Sequence, residues 1–278
     1  MVIYEWARPL CCTRTGAAHL RKAKACQDFS ISRMISSCDQ IPVMVMGVAD
    51  GHGGQRYWLS HEGSRLACES AIEAIESFIS HQDSRFLSKI DACQNWLAVD
   101  LPAVIYSKWL TAIELHWHKF HYRDVIEFNA ETYGTTIGLV IMTPYWWGHT
   151  GVGDWDLVLI PEDGSNRLVS EENDVAAVGE STFSLCKGES IKIFTSRAGI
   201  YSLHSADLPF KLVLSTDGIR KSCSTDADYF TLAGYLASAS LSPYPDDEFV
   251  DLPSSLDGIT NEGSGDDVSI AVGKWYKA

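Results

Sequence analysis

Pro42-Val43-Met44-Val45-Met46-Gly47-Val48-Ala49 runs straight into Asp50-Gly51-His52-Gly53-Gly54. The first stretch is apolar at nearly every position. Its length suits a strand, and without alternation both faces of that strand are buried. The second stretch carries glycine at a density that no regular element tolerates, so the strand ends at Asp50. A carboxylate where a rigid strand opens into a glycine loop sits on a fixed scaffold yet faces an opening. Functional groups are commonly built in that way.

Outward from this strand, residues 27–34 read as a neighbouring strand. Leu66, Ala67, Ser70, Ala71, Ala74, Ile75, Phe78 and Ile79 recur at helical spacing, and a second long helix is expected over about 101–128. Strands are then expected at 135–142, 146–151, 157–160, 191–195 and 211–215. A helix is expected at 229–241, a loop over the Pro-, Asp-, Ser- and Gly-rich 242–265, and a last strand at 268–275. Of the adjacent Trp146 and Trp147, a strand turns one inward and one outward. No repeat or linker interrupts the pattern, so residues 1–278 read as a single α+β domain with strands and helices in layers.

A chain of 278 residues buries about three-quarters of its unfolded surface and needs no staples. Hydrophobic residues make up 46% and charged residues 21%, which excludes a disordered or fibrous chain. No apolar run approaches the roughly 18 residues of a membrane span. The start, Met1 to Trp6, lacks a basic, then apolar, export signal, so a cytoplasmic location is expected. The balance of 22 basic to 36 acidic residues, net -14, opposes binding to nucleic acid or to an anionic membrane. None of the 8 cysteines forms a C-x-x-C pair, so they are expected to be reduced thiols, mostly in the core. His116, His118 and His121 lack a carboxylate or thiol partner at ligand spacing and read as ordinary helix residues.

Three further carboxylates share the context of Asp50. Asp28 opens a strand, Asp217 follows Leu212-Val213-Leu214-Ser215, and Asp266 precedes the final strand. Convergence of these strand ends would crowd anions together, which is strongly unfavourable unless cations neutralise them. Oxygen-only ligands select hard ions such as Mg²⁺ or Mn²⁺.

Val48-Ala49-Asp50-Gly51-His52-Gly53-Gly54 resembles the signature of the metal-dependent protein phosphatases, the PPM or type 2C family. Tyr133-Gly134-Thr135-Thr136, Gly151-Val152-Gly153-Asp154, Leu214-Ser215-Thr216-Asp217-Gly218 and Gly265-Asp266-Asp267-Val268-Ser269 follow in that family's order. His19 with Ala25-Cys26-Gln27-Asp28 resembles a divergent bacterial branch. The resemblance implies a four-layer α/β/β/α sandwich of two antiparallel sheets flanked by helices, with two Mn²⁺ or Mg²⁺ ions at one end. It implies that Asp50 bridges both ions, that the Gly51 carbonyl binds the first and that Asp217 and Asp266 bind the second. It further implies that Asp28 lies in the inner or outer ligand shell, that His52 is the general acid and that Asp154 helps hold a third, weaker ion. The implied activity is hydrolysis of phosphoseryl and phosphothreonyl groups by a hydroxide between the metals. The implied partners are a phosphoprotein substrate and the Ser/Thr kinase that opposes the enzyme, which is expected to act as a monomer.

The chain departs from that pattern in four places. Gln27 stands where the family has a glutamate, and Ala23 where it has a phosphate-binding arginine. Arg21, Lys22 and Lys24 are the neighbouring cations for that role, and on a strand Lys22 and Lys24 share a face. Trp155 replaces a small hydroxyl residue. Lys221 replaces an aspartate, which removes a ligand for the third ion. Ser196-Arg197-Ala198 matches a family segment in letters, but its spacing to Thr216 reads as coincidence. The alternative to an enzyme is a regulatory or binding module of little activity on the same fold; a third reading is hydrolysis of a small phosphoester.

Overall fold

The computed structural model describes residues 4–120, 127–170, 182–204, 208–239 and 251–277. Among them two antiparallel sheets stack face to face. The first carries β1 (Tyr4–Trp6), β11 (Val268–Lys277), β10 (Phe210–Ser215), β7 (Asp156–Pro161) and β8 (Arg167–Ser170) in that order, with β2 (Leu10–Arg14) also on β11. The second runs β3 (Asp28–Ser36), β4 (Pro42–Asp50), β5 (Ile137–Met142), β6 (Trp146–Val152) and β9 (Gly199–Ser202). Helices α2 (Ser60–Ile79) and α5 (Leu101–Lys119) cover the second sheet. Helices α8 (Asp226–Leu236) and α9 (Leu252–Glu262) cover the first. This is the expected layered sandwich.

The strand β4 shows why its sequence is apolar throughout. Val43, Val45 and Ala49 enter the core beneath the helices, while Met44, Met46 and Val48 enter the core between the sheets. The period of two is present, but both faces are covered. The same logic corrects the expectation for the tryptophans. Trp146 packs on the helix side and Trp147 between the sheets, with exposures of 1% and 4%, so neither faces outward.

Three further expectations change. Residues 190–196 form a helix, α6 (Ser190–Ser196), although Ile191, Ile193 and Thr195 favour a strand; Ser190 and Phe194, one turn apart, are the buried pair. Tertiary packing overrides such β-preferences. Helix α9 lies inside the expected loop. Asp251 caps it by accepting from the Ser254 amide, Pro253 sits in its first turn, and Leu252, Leu256 and Thr260 make a buried stripe. Helix α5 ends at Lys119, short of the expected 128, and Ala130–Tyr133 form a separate 3₁₀ turn. Residues 121–126, His121 among them, and 240–250 lie outside the described residues.

Helix α2 meets the 3₁₀ turn at Gly63. A Cβ there would lie 2.0 Å from the Tyr133 carbonyl oxygen, and the Gly63 carbonyl accepts from Trp109 Nε1 at 3.1 Å. Alanine gains up to about 1 kcal/mol in helix propensity over glycine. Overpacking against backbone costs about 1–3 kcal/mol. Gly63→Ala is therefore expected to lower the denaturant midpoint, and an unchanged or higher midpoint would show that the two segments separate freely.

Candidate metal centre

Asp28 begins β3 and Asp50 ends β4, and the antiparallel register sets them opposite each other. From the other sheet, β10 runs into Asp217, the first residue of the short helix α7 (Asp217–Arg220), and Asp266 stands just before β11. The two sheets are joined at this end by hydroxyls. Thr216 Oγ1 donates to Asp28 Oδ2 at 2.7 Å, and Thr13 links Ser30 of one sheet to Ser269 of the other at 2.8 and 2.6 Å. Asp154 follows Gly153, whose φ of 93° permits the sharp turn after β6. The strand ends thus converge. Oxygen atoms of Asp50, Asp154 and Asp217 all lie within 4.8 Å of one another.

These carboxylates share a cleft of about 240 Å³ with Gly51, His52, Asp266 and Lys221. Burial, followed by the charges of Asp28, Asp217 and Asp154, raises the Asp50 carboxyl well above its usual range. Burial does the same for Asp28, partly offset by the bond from Thr216. Asp217 is pushed up to about 7 by burial and by Asp154, against the opposing charge of Lys221. Burial lowers His52, while Asp154 pulls it back up.

The backbone around Asp50 is pinned. Its carbonyl accepts from the Thr136 amide at 2.8 Å and Thr135 Oγ1 at 2.9 Å, and its amide donates to Thr136 Oγ1 at 2.9 Å. This is what the Gly134-Thr135-Thr136 segment does. Gly51 admits no side chain, because a Cβ would lie 2.6 Å from the Ser60 carbonyl oxygen. Gln27 directs its amide to the His52 carbonyl at 2.9 Å and Ser60 Oγ at 2.5 Å, so it braces the loop.

A sequence profile of protein phosphatase 2C matches residues 15–249. The chain belongs to that family. No curated protein matches it in sequence. Among solved structures it is similar to the Streptococcus agalactiae serine/threonine phosphatase, with 17% identity, TM-score 0.55, and coverage of 98% of this chain and 99% of that one. It is equally similar to the catalytic domain of the serine/threonine protein phosphatase PstP, solved with 2 manganese ions, at 15% identity, TM-score 0.55, and coverage of 99% and 100%. PppA, a regulatory component of type VI secretion in Pseudomonas aeruginosa, gives 15%, 0.55, and 98% of both chains. At these identities the likeness shows the fold.

The family is metal-dependent, and the residues present fit a hard divalent ion. Asp28 Oδ1 and Asp217 Oδ1 are buried without a hydrogen-bond donor among the described residues, in a set of mutually repelling carboxylates. Asp267, adjacent to Asp266, is differently employed. It accepts from the Gly16 and Gln27 amides, each at 2.6 Å, and from His19 Nδ1 at 2.9 Å. It therefore ties the N-terminal segment to β11, a role that the sequence did not reveal. All 8 cysteines are free thiols; Cys26, near Asp28, is pushed up to about 12 by burial and stays protonated.

The strand placement of Lys22 and Lys24 is corrected. The segment after helix α1 (Ala17–Arg21) turns through Ala23 at φ 51°, and Arg21, Lys22 and Lys24 are all exposed. None of them lines the acidic cleft. The cation that does is Lys221. Arg197 was also missed. Its guanidinium lies 3.8 Å over the Trp155 ring and donates to the carbonyls of Gly153 and Trp155, on either side of Asp154. Ser196-Arg197-Ala198 thus braces the Asp154 turn, although its spacing gave no signal. Of the helix histidines, His116 bonds the Tyr133 hydroxyl at 2.8 Å, and none of the described helices is long and apolar enough to cross a membrane.

A carboxyl raised on folding opposes stability as pH climbs from its unfolded value to its folded one. For Asp217 that window runs from about 4 to about 7. The metal-free protein is expected to lose Tm across this range. Mn²⁺ or Asp217→Asn should reduce the loss. A Tm that rises with pH throughout, without metal, would contradict this electrostatic picture.

Proposed function

We propose that this protein is a metal-dependent phosphatase that hydrolyses phosphoseryl or phosphothreonyl groups of a phosphoprotein, opposing the kinase that installs them. The observation that carries the reading is the meeting of Asp50, Asp154 and Asp217 beside His52 in one open cleft on a phosphatase 2C-family fold. Asp50, the Gly51 carbonyl, Asp217, Asp266 and Asp28 are the groups that would hold Mn²⁺ or Mg²⁺. Such ions, when bound, neutralise phosphoryl charge and make water acidic enough to supply a nucleophile near neutral pH.

The chain's own residues do the rest. The pinned backbone at Asp50 and Gly51 fixes donor positions before substrate arrives. His52, 5.0 Å from the Tyr57 ring between centroids, protonates the leaving seryl or threonyl oxygen. Burial favours its neutral form, and Asp154 favours the protonated form needed of an acid. Asp267 and Thr216 keep the contributing strand ends in register. Residues 1–278 act together as one cytoplasmic domain in this reading.

A regulatory module with little turnover is the second reading, favoured by Lys221 on Asp217 and by Ala23 in place of an arginine. Phosphate release from phosphothreonine peptides, with Mn²⁺, Mg²⁺ or EDTA, separates the two. The enzyme reading expects activity that requires metal, disappears in EDTA and falls on the order of 10²–10³-fold in Asp217→Asn, since metal stabilisation of the transition state amounts to several kcal/mol. Folded protein without turnover in either metal would favour the module.

A further inference from the structure

Lys221 stands one helical turn after Asp217, at the C-terminal end of α7. Its ammonium lies 2.6 Å from Asp217 Oδ2 and 3.6 Å from Asp266 Oδ2. One cation therefore joins two carboxylates contributed by different chain segments, β10–α7 and the approach to β11. The lysine side chain is 53% exposed and that of Asp217 only 13%, so the stem reaches in from solvent and the charge sinks into the cleft. Asp217 and Asp266 are the carboxylates that the family resemblance assigns to the second metal ion. Gln27 adds no charge at this end, because it is a neutral amide committed to His52 and Ser60.

We propose that the Lys221 ammonium takes the place of a divalent cation between Asp217 and Asp266, so that the cleft binds one divalent ion tightly, on the Asp50 side, instead of two. This rests on the metal-dependent reading above. A second ion on the same oxygens has to displace the tethered ammonium into solvent and break both ion pairs. It also meets the repulsion of a positive charge already in the cleft. Lysine suits the role as a compact point charge with several donors, and the helical i,i+4 spacing keeps it near Asp217.

The test is a Mn²⁺ titration of the full chain by calorimetry, with bound metal counted by native mass spectrometry. Wild type is compared with Lys221→Met, which keeps the apolar stem, and Lys221→Arg, which keeps the charge. Near-UV circular dichroism confirms that each is folded. The expected result is one tight ion in wild type and in Lys221→Arg. In Lys221→Met a second ion binds at least tenfold more tightly than in wild type, with an exchange-coupled manganese spin-resonance signal that wild type lacks. Two tight ions in wild type would overturn the inference and leave the metal-dependent reading standing. So would one ion in both wild type and Lys221→Met. No bound ion in any form would overturn the metal-dependent reading itself and the inference with it.

Discussion

Everything at the working end of this molecule follows from bringing carboxylates together where water is scarce. Asp28 and Asp50 face each other across one sheet, and Asp217 and Asp266 arrive from the other. For Asp28, Asp50 and Asp217 the largest cause of the raised carboxyl is burial, with mutual repulsion added to it. No local preference would produce such a cluster. It persists because the sandwich imposes it: strands packed on both faces cannot shift their ends without disturbing three cores at once.

That imposition requires connections between the sheets at the same end, and they are polar. Thr216 on Asp28, the Thr13 hydroxyl between Ser30 and Ser269, and Asp267 on the Gly16 and Gln27 amides bind the two layers where the repulsion acts. Asp266 and Asp267 divide two tasks between neighbouring residues. Asp267 is buried and satisfied by amide donors, whereas Asp266 is part-exposed and turned to the cleft. An acid whose acceptors are used is a staple; one whose oxygen lacks a donor, such as Asp28 or Asp217, remains a candidate ligand.

The legible part of the fold was the part whose residues face a core on a regular period. The strand at 42–49 and helix α2 could be read because every buried position declares itself. Helix α9 could not, because its stripe of Leu252, Leu256 and Thr260 is thin against a background rich in Ser, Asp and Gly. Helix α6 could not, because Ile191, Ile193 and Thr195 carry a strand's preference and only Ser190 and Phe194, one turn apart, are fully buried. In the site, Asp28, Asp50, Asp217 and Asp266 were readable as strand-end acids. Thr216, Asp267 and Arg197 were not, since each acts through a partner remote in sequence. A turn with a positive φ at Ala23 likewise placed Lys22 and Lys24 outside the cleft, which a strand reading could not foresee.

The departures from the family pattern are local structures with their own partners. Trp155 fits only because its neighbours in space are glycines: a Cβ on Gly138 or Gly151 would come within 2.6 or 2.5 Å of its ring. Arg197 then covers the ring and holds the carbonyls on both sides of Asp154. A bulky aromatic at this turn therefore rigidifies the segment that carries an acid of the cluster. Lys221 works by charge where Trp155 works by shape. It gives Asp217 and Asp266 a counter-charge within the chain itself, so the cluster's repulsion is partly relieved before any ion arrives. Relief of that kind weakens the drive to bind metal in proportion to the charge supplied. A site assembled from carboxylates and one lysine is consequently set for fewer or weaker ions than one assembled from carboxylates alone.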